Sequence, residues 1–159
     1  MSRQLILAGL LSLSVPAALQ AKPPWLSIEL PANPWDQATR GGFLVVHTYH
    51  YSRPATGTLS GTAIGVVNGE RRSVPLTFEP TERPGDFVVR NQWGSSGRWV
   101  LVITVSQGSA ENLAQAMVQI SEGGAVTGVR VPTRQERDVA IPRPATQAEI
   151  EAALAGRNQ

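Results

Sequence analysis

Two histidines, His47 and His50, sit three residues apart in "FLVVHTYHYSRP" (43–54), interleaved with Tyr49 and Tyr51 in a chain that has no cysteine. Imidazoles can ligate metals, act as general bases and change charge near neutral pH. Spacing decides which of these the pair can share. Successive side chains of an extended strand alternate faces, so His47 falls with Phe43, Val45, Tyr49 and Tyr51, and His50 with Leu44, Val46 and Thr48. One ion could be shared only if a bulge near Tyr49 re-aimed a ring. A stable site also wants three or four ligands, and no thiolate is present to supply one. The expectation is two separate structural histidines, His47 packed among aromatic residues and His50 nearer the strand end. Metal binding by His47 or His50, as in a periplasmic copper-handling protein, is the alternative.

Catalytic patterns are sparse. There is no Gly-x-Ser-x-Gly elbow, and "GSSG" at 94–97 reads as a turn. Glu29, Asp36, Glu79, Glu82 and Asp86 are scattered through turn contexts rather than paired for acid–base work. No phosphate-cradling loop or dinucleotide fingerprint occurs, so no cofactor is implied and a non-catalytic role is expected, with an unrecognised hydrolase as the weaker alternative. Met117 reads as core filling. Trp25 and Trp35 lie in "KPPWL" and "ANPWDQ". Exposed, either ring could stack on a sugar or anchor in a partner's pocket. The simpler expectation is that both segments fold back over an open end of the domain. The candidate binding residues are Trp35, His50, Tyr51 and Arg53, on loops at one end of the fold, with strand addition along an exposed edge as the other mode of recognition.

The elements that must position these residues are short. Glycines and prolines punctuate the chain every eight to fifteen residues, and β-branched and aromatic runs fill the intervals. This predicts an all-β fold, an immunoglobulin-like antiparallel β-sandwich of about seven to nine strands with a short C-terminal helix. Leu26 to Leu30 alternates apolar and polar residues as a first strand. In "LSGTAIGVVNGERRSVPLTF", Asn68-Gly69 suits a type I′ turn. Val67 then pairs with Glu70, which sets Ala63 opposite Val74, Gly61 opposite Leu76 and Leu59 opposite Phe78. Pro75 suggests an edge strand. "RWVLVITVSQ" is apolar on both faces, as a central covered strand would be.

Pro84-Gly85-Asp86-Phe87, a short strand, a glycine-containing turn and then Gly97-Arg98-Trp99-Val100-Leu101-Val102 resemble the C-terminal half of the YtkA/FixH-like extracytoplasmic β-sandwich domains. The likeness spans 27–105 in outline and 84–105 in motif. It implies an immunoglobulin-like fold and a kinship with copper-resistance periplasmic proteins. The stretch from Lys22 has no histidine near its start, and no methionine-rich loop is present.

The first residues carry a different message. Arg3, the uncharged run Leu5 to Val15, Pro16 and the small-residue exit to Ala21 have the layout of a secretory signal peptide, 1–21. The apolar run is too short for the roughly 30 Å hydrocarbon core, which takes about 20 residues as a helix. A periplasmic or secreted protein is expected, with no membrane span after cleavage. Removing 21 residues from 159 leaves 138, enough for one core. The net charge of +2 falls to +1 with Arg3 gone, so the pI near 9.7 reflects sparse charge, and a nucleic-acid partner is not expected. Partners are expected among cell-envelope proteins or small ligands. The sandwich is placed at 22–132. The stretch 133–159 reads as a polar, proline-marked linker and a helix opened by the capping box Thr146-Gln147-Ala148-Glu149. Ile150, Ala153 and Leu154 form that helix's apolar stripe, and Gly156 ends it.

Overall fold

β-Branched runs between turn residues build two facing antiparallel sheets in the computed structural model, which describes residues 23–157, without the side chains of 109–111. The expected signal peptide lies outside the described residues. The first sheet sets β1 (Trp25–Glu29), β2 (Leu44–His50), β7 (Asp86–Val89) and β6 (Glu79–Pro80) side by side, with β3 (Arg53–Pro54) also paired to β2. The second orders β10 (Val126–Arg130), β9 (Ser109–Ile120), β8 (Arg98–Gln107), β4 (Thr58–Val67) and β5 (Glu70–Pro75). The order β1-β2-β7-β6 against β9-β8-β4-β5 is that of an immunoglobulin-like sandwich.

Alternation fills the space between the sheets. Leu26, Leu44, Val46 and Val89 of the first sheet meet Ala63, Trp99, Leu101, Ile103, Val105 and Val118 of the second, all buried. The β4–β5 hairpin turns at Asn68 and Gly69, with φ of 52° and 81°. Its ladder pairs Val67 with Glu70 and Ala63 with Val74, and the Leu76 amide bonds the Gly61 carbonyl beyond it. β5 is an edge strand, consistent with Pro75. Gly65 faces Trp99 across the β4–β8 ladder, and the indole lies where a β-carbon would stand.

The C-terminal region departs from the expected linker. Thr133–Glu136 (β11) and Val139–Pro142 (β12) pair as a hairpin, because β-prone Val139-Ala140-Ile141 returns against Arg134-Gln135-Glu136 across a two-residue turn with Arg137 at φ 51°. With this hairpin and the two-residue β3 and β6, the described residues hold more strands than the seven to nine expected. α1 (Gln147–Leu154) follows, opened by the capping box. Gly156 N–H bonds the Ala153 carbonyl at 3.0 Å and Arg157 N–H that of Ala152 at 2.9 Å, a Schellman closure with Gly156 at φ 72°. Eight residues are too few for a stable isolated helix. α1 is held by docking on the outer face of the second sheet, where Ile150, Ala153 and Leu154 pack with Val100 and Met117.

Candidate functional site

The outer face of the first sheet carries Trp25, Ser27 and Glu29 from β1, Val45, His47 and Tyr49 from β2, and Asp86 and Val88 from β7, by the alternation that sends their neighbours into the core. One end of this face is closed. Val45 and Val88 are fully buried there, and the 31–42 segment supplies buried Ala32 and Thr39. A β-carbon on Gly42 would crowd Val88 and Ala32.

Beyond that cover runs a line of charge. His47 Nδ1 lies 2.8 Å from Asp86 Oδ1 and Nε2 lies 3.1 Å from Glu29 Oε2. Each ring nitrogen thus faces a carboxylate oxygen, and the imidazole bridges three strands. Glu29 Oε1 accepts from the Asn33 amide at 3.1 Å, which fastens the start of the covering loop. Asp86 Oδ2 meets Arg83 Nε at 3.1 Å, and Arg83 also holds Asp36 of the loop. That bond from Arg83 lowers the pKa of Asp36, and Asp36 in turn raises that of Arg83.

Past His47 the face becomes aromatic. Trp25 and Tyr49 are ladder partners, and with Pro23, Tyr51 and Ser52 they line a half-open groove of about 480 Å³. Trp25 is 41% exposed and Tyr51 60%. Tyr51 and Ser52 form the two-residue turn between β2 and β3, closed by the His50–Arg53 pair. Their φ values are 51° and 62°. Such type I′ turns favour glycine, asparagine and aspartate, and a left-handed non-glycine residue costs on the order of 1 kcal/mol. The His50 ring packs against Tyr51 at 4.2 Å between centroids and fixes that wall. The end of β2 is anchored from behind by buried Thr48, whose hydroxyl reaches the Gly85 carbonyl at 3.1 Å and also the Ala55 carbonyl.

Several sequence expectations are revised by these positions. His47 is surrounded by carboxylates rather than packed among aromatic residues, because the register sets Asp86 opposite it and Glu29 one row away. The unbroken β1–β2 ladder sends His47 and His50 to opposite faces, so they share no ion. Among the described residues no cluster of three or more His, Asp or Glu is placed to hold a metal. Glu29 and Asp86 lie on opposite edges of the imidazole, so the three groups do not converge on one point. Trp35 is 88% exposed, and neither tryptophan-bearing segment buries its ring. The 31–42 loop does fold back, but it uses Ala32 and Thr39 to do so. Trp35 lies in the 31–42 loop that precedes β2, whereas His50, Tyr51 and Arg53 lie at and just beyond its end. Glu29, Asp86, Trp25 and Tyr49 were not joined by sequence reasoning. The pairing of Ser27 with His47 is the signal that joins them.

Chemically, the charged line can hydrogen-bond a polar group, and the aromatic groove can stack on a flat apolar surface. His47 Nε2 points at a carboxylate, and among the described residues no hydroxyl bonds to either ring nitrogen. No protein-family model, curated protein or solved structure matches the chain. Among the described residues no helix is long and apolar enough to cross a membrane.

Proposed function

We propose that the protein is a non-catalytic binding module of the cell envelope, periplasmic or secreted, which recognises its ligand on the outer face of the first sheet. The observation that carries this reading is the groove of Trp25, Tyr49 and Tyr51, with one wall set by a left-handed turn that lacks glycine. Backbone strain is kept where the surrounding structure and the function demand it. The likeness to YtkA/FixH-like domains and the signal-peptide layout of 1–21 support the compartment. The test is co-sedimentation of the chain from Lys22 onward with washed envelope fragments. Saturable binding weakened at least tenfold by Tyr51→Ala, with an unchanged melting profile, is expected. Absence of saturable binding, or equal binding by the variant, rejects the reading.

A second reading, metal handling, rests on one observation: His50 Nε2 is buried with no hydrogen-bond partner among the described residues. It predicts that one equivalent of Cu(II), Cu(I) or Zn(II) binds tightly and is lost in His50→Ala. No saturable uptake would remove it.

A further inference from the structure

The aromatic groove is built for an amphipathic ligand without net charge, and we infer that its ligand is a neutral saccharide chain stacked on Trp25 and Tyr51. This rests on the binding-module reading above and names the class of ligand.

Three features of the groove select that class. Among the described residues its lining holds no charged side chain: it is formed by Pro23, Trp25, Tyr49, Tyr51 and Ser52. Among the described residues the charged side chains nearest along the chain and ladder are of both signs, Glu29 on one side and Arg53 beside Ser52 on the other, so they form no cluster of one sign to match an ionic ligand. Every lining residue except Pro23 carries a polar tip. Among the described residues, the indole N–H of Trp25 and the hydroxyls of Tyr49, Tyr51 and Ser52 make no hydrogen bond within the protein. A pyranose ring has the complementary surface, an apolar face of C–H groups bordered by hydroxyls. The indole and phenol faces take the former, and their outward tips take the latter.

The spacing favours a short chain over one ring. Trp25 and Tyr49 are on neighbouring strands about 4.8 Å apart, and Tyr51 stands beyond Tyr49 on the turn that ends β2. A groove of about 480 Å³ falls in the range of small-ligand sites and accommodates a disaccharide segment. It is open, so a polymer can enter sideways and continue past His47. There the exposed edge of the Glu29 carboxylate is available to a sugar hydroxyl.

Isothermal titration of the chain from Lys22 onward with three neutral hexasaccharides, of β-1,4-linked glucose, β-1,4-linked N-acetylglucosamine and α-1,4-linked glucose, tests the assignment. Decaproline serves as the peptide competitor. At least one saccharide is expected to bind saturably at submillimolar Kd. Trp25→Ala and Tyr51→Ala should each weaken it tenfold or more, Trp25→Phe should hold it within about threefold, and Val129→Ser on β10 should leave it unchanged. Melting curves of the variants exclude misfolding as the cause. Binding of decaproline alone overturns the saccharide in favour of an extended peptide. Silence towards all four probes overturns it too, and the envelope co-sedimentation then decides separately whether the binding-module reading survives. Saccharide binding that ignores Trp25→Ala and Tyr51→Ala also overturns it, because the ligand then sits elsewhere.

Discussion

Two positions show how little room the structure leaves at particular residues. Gly65 stands under the Trp99 indole, so even a methyl group there displaces the ring from a core in which Trp99 is 2% exposed. Gly65→Ala is expected to lower the free energy of unfolding by about 1–3 kcal/mol, measured in urea. Glu149 is the second case. Arg143 grips it bidentately at 2.7 and 2.8 Å, Arg130 adds a bond at 2.8 Å and the Thr146 amide one at 2.9 Å. The Arg143 bonds first, then the Thr146 amide, hold the carboxyl down to about 2 from an ordinary 4.5. Because the folded value is the lower one, the stabilisation is complete above about 4.5 and is lost as the pH falls towards 2. Glu149→Gln should cost about 2 kcal/mol at pH 7. The gap in melting temperature between variant and parent should close across that acid window. A constant gap would show that the charge of Glu149 is not what holds the helix start.

Among the elements, the β2–β3 turn and α1 make opposite demands. Tyr51 and Ser52 occupy left-handed backbone that glycine adopts without penalty. Ser52→Gly should therefore stabilise the protein by about 0.5–1 kcal/mol, read from the urea midpoint. A loss of stability would mean that the Ser52 side chain contributes more than its backbone strain removes. α1 owes its existence to the sheet beneath it. Deleting 144–159 uncovers Val100 and Met117 and removes the packing of Ile150 and Leu154. At about 1.5–3 kcal/mol for each of these two large apolar side chains, the deletion should cost about 3–6 kcal/mol and raise binding of a hydrophobic dye. Arg71 on the edge strand pairs with Glu151 of α1 at 2.6 Å, but both are half-exposed and add little.

At the scale of the whole molecule, the sandwich closes through contacts remote in sequence. β4 pairs with β8, and β2 with β7, each across several intervening strands. Such topologies fold slowly, so refolding after dilution from urea should be complete in milliseconds to seconds rather than microseconds, followed by tryptophan fluorescence. Microsecond refolding would contradict this topology's dominance by non-local pairing. The sandwich also explains why the candidate site is on a sheet face rather than on end loops. The 31–42 loop covers one end of the outer face and is tied to the His47 line through Glu29 and Arg83, while the aromatic groove beyond stays open.

Periodicity and turn chemistry settled much of this from the amino-acid order alone. Alternation in Leu26 to Leu30 and in Trp99 to Val105, the Asn68-Gly69 turn with its register, and the Thr146–Glu149 capping box are local, and each appears in the fold as the residues dictate. The β11–β12 hairpin escaped because its turn has neither Asn-Gly nor Asp-Gly and its first strand, Thr133–Glu136, is wholly polar. The charged line and the groove were illegible for a different reason. His47 is 18 residues from Glu29 and 39 from Asp86, and only the pairing of three strands brings them together on one face. Local order fixes which way a side chain points from its strand, whereas tertiary structure alone decides which strand lies beside it.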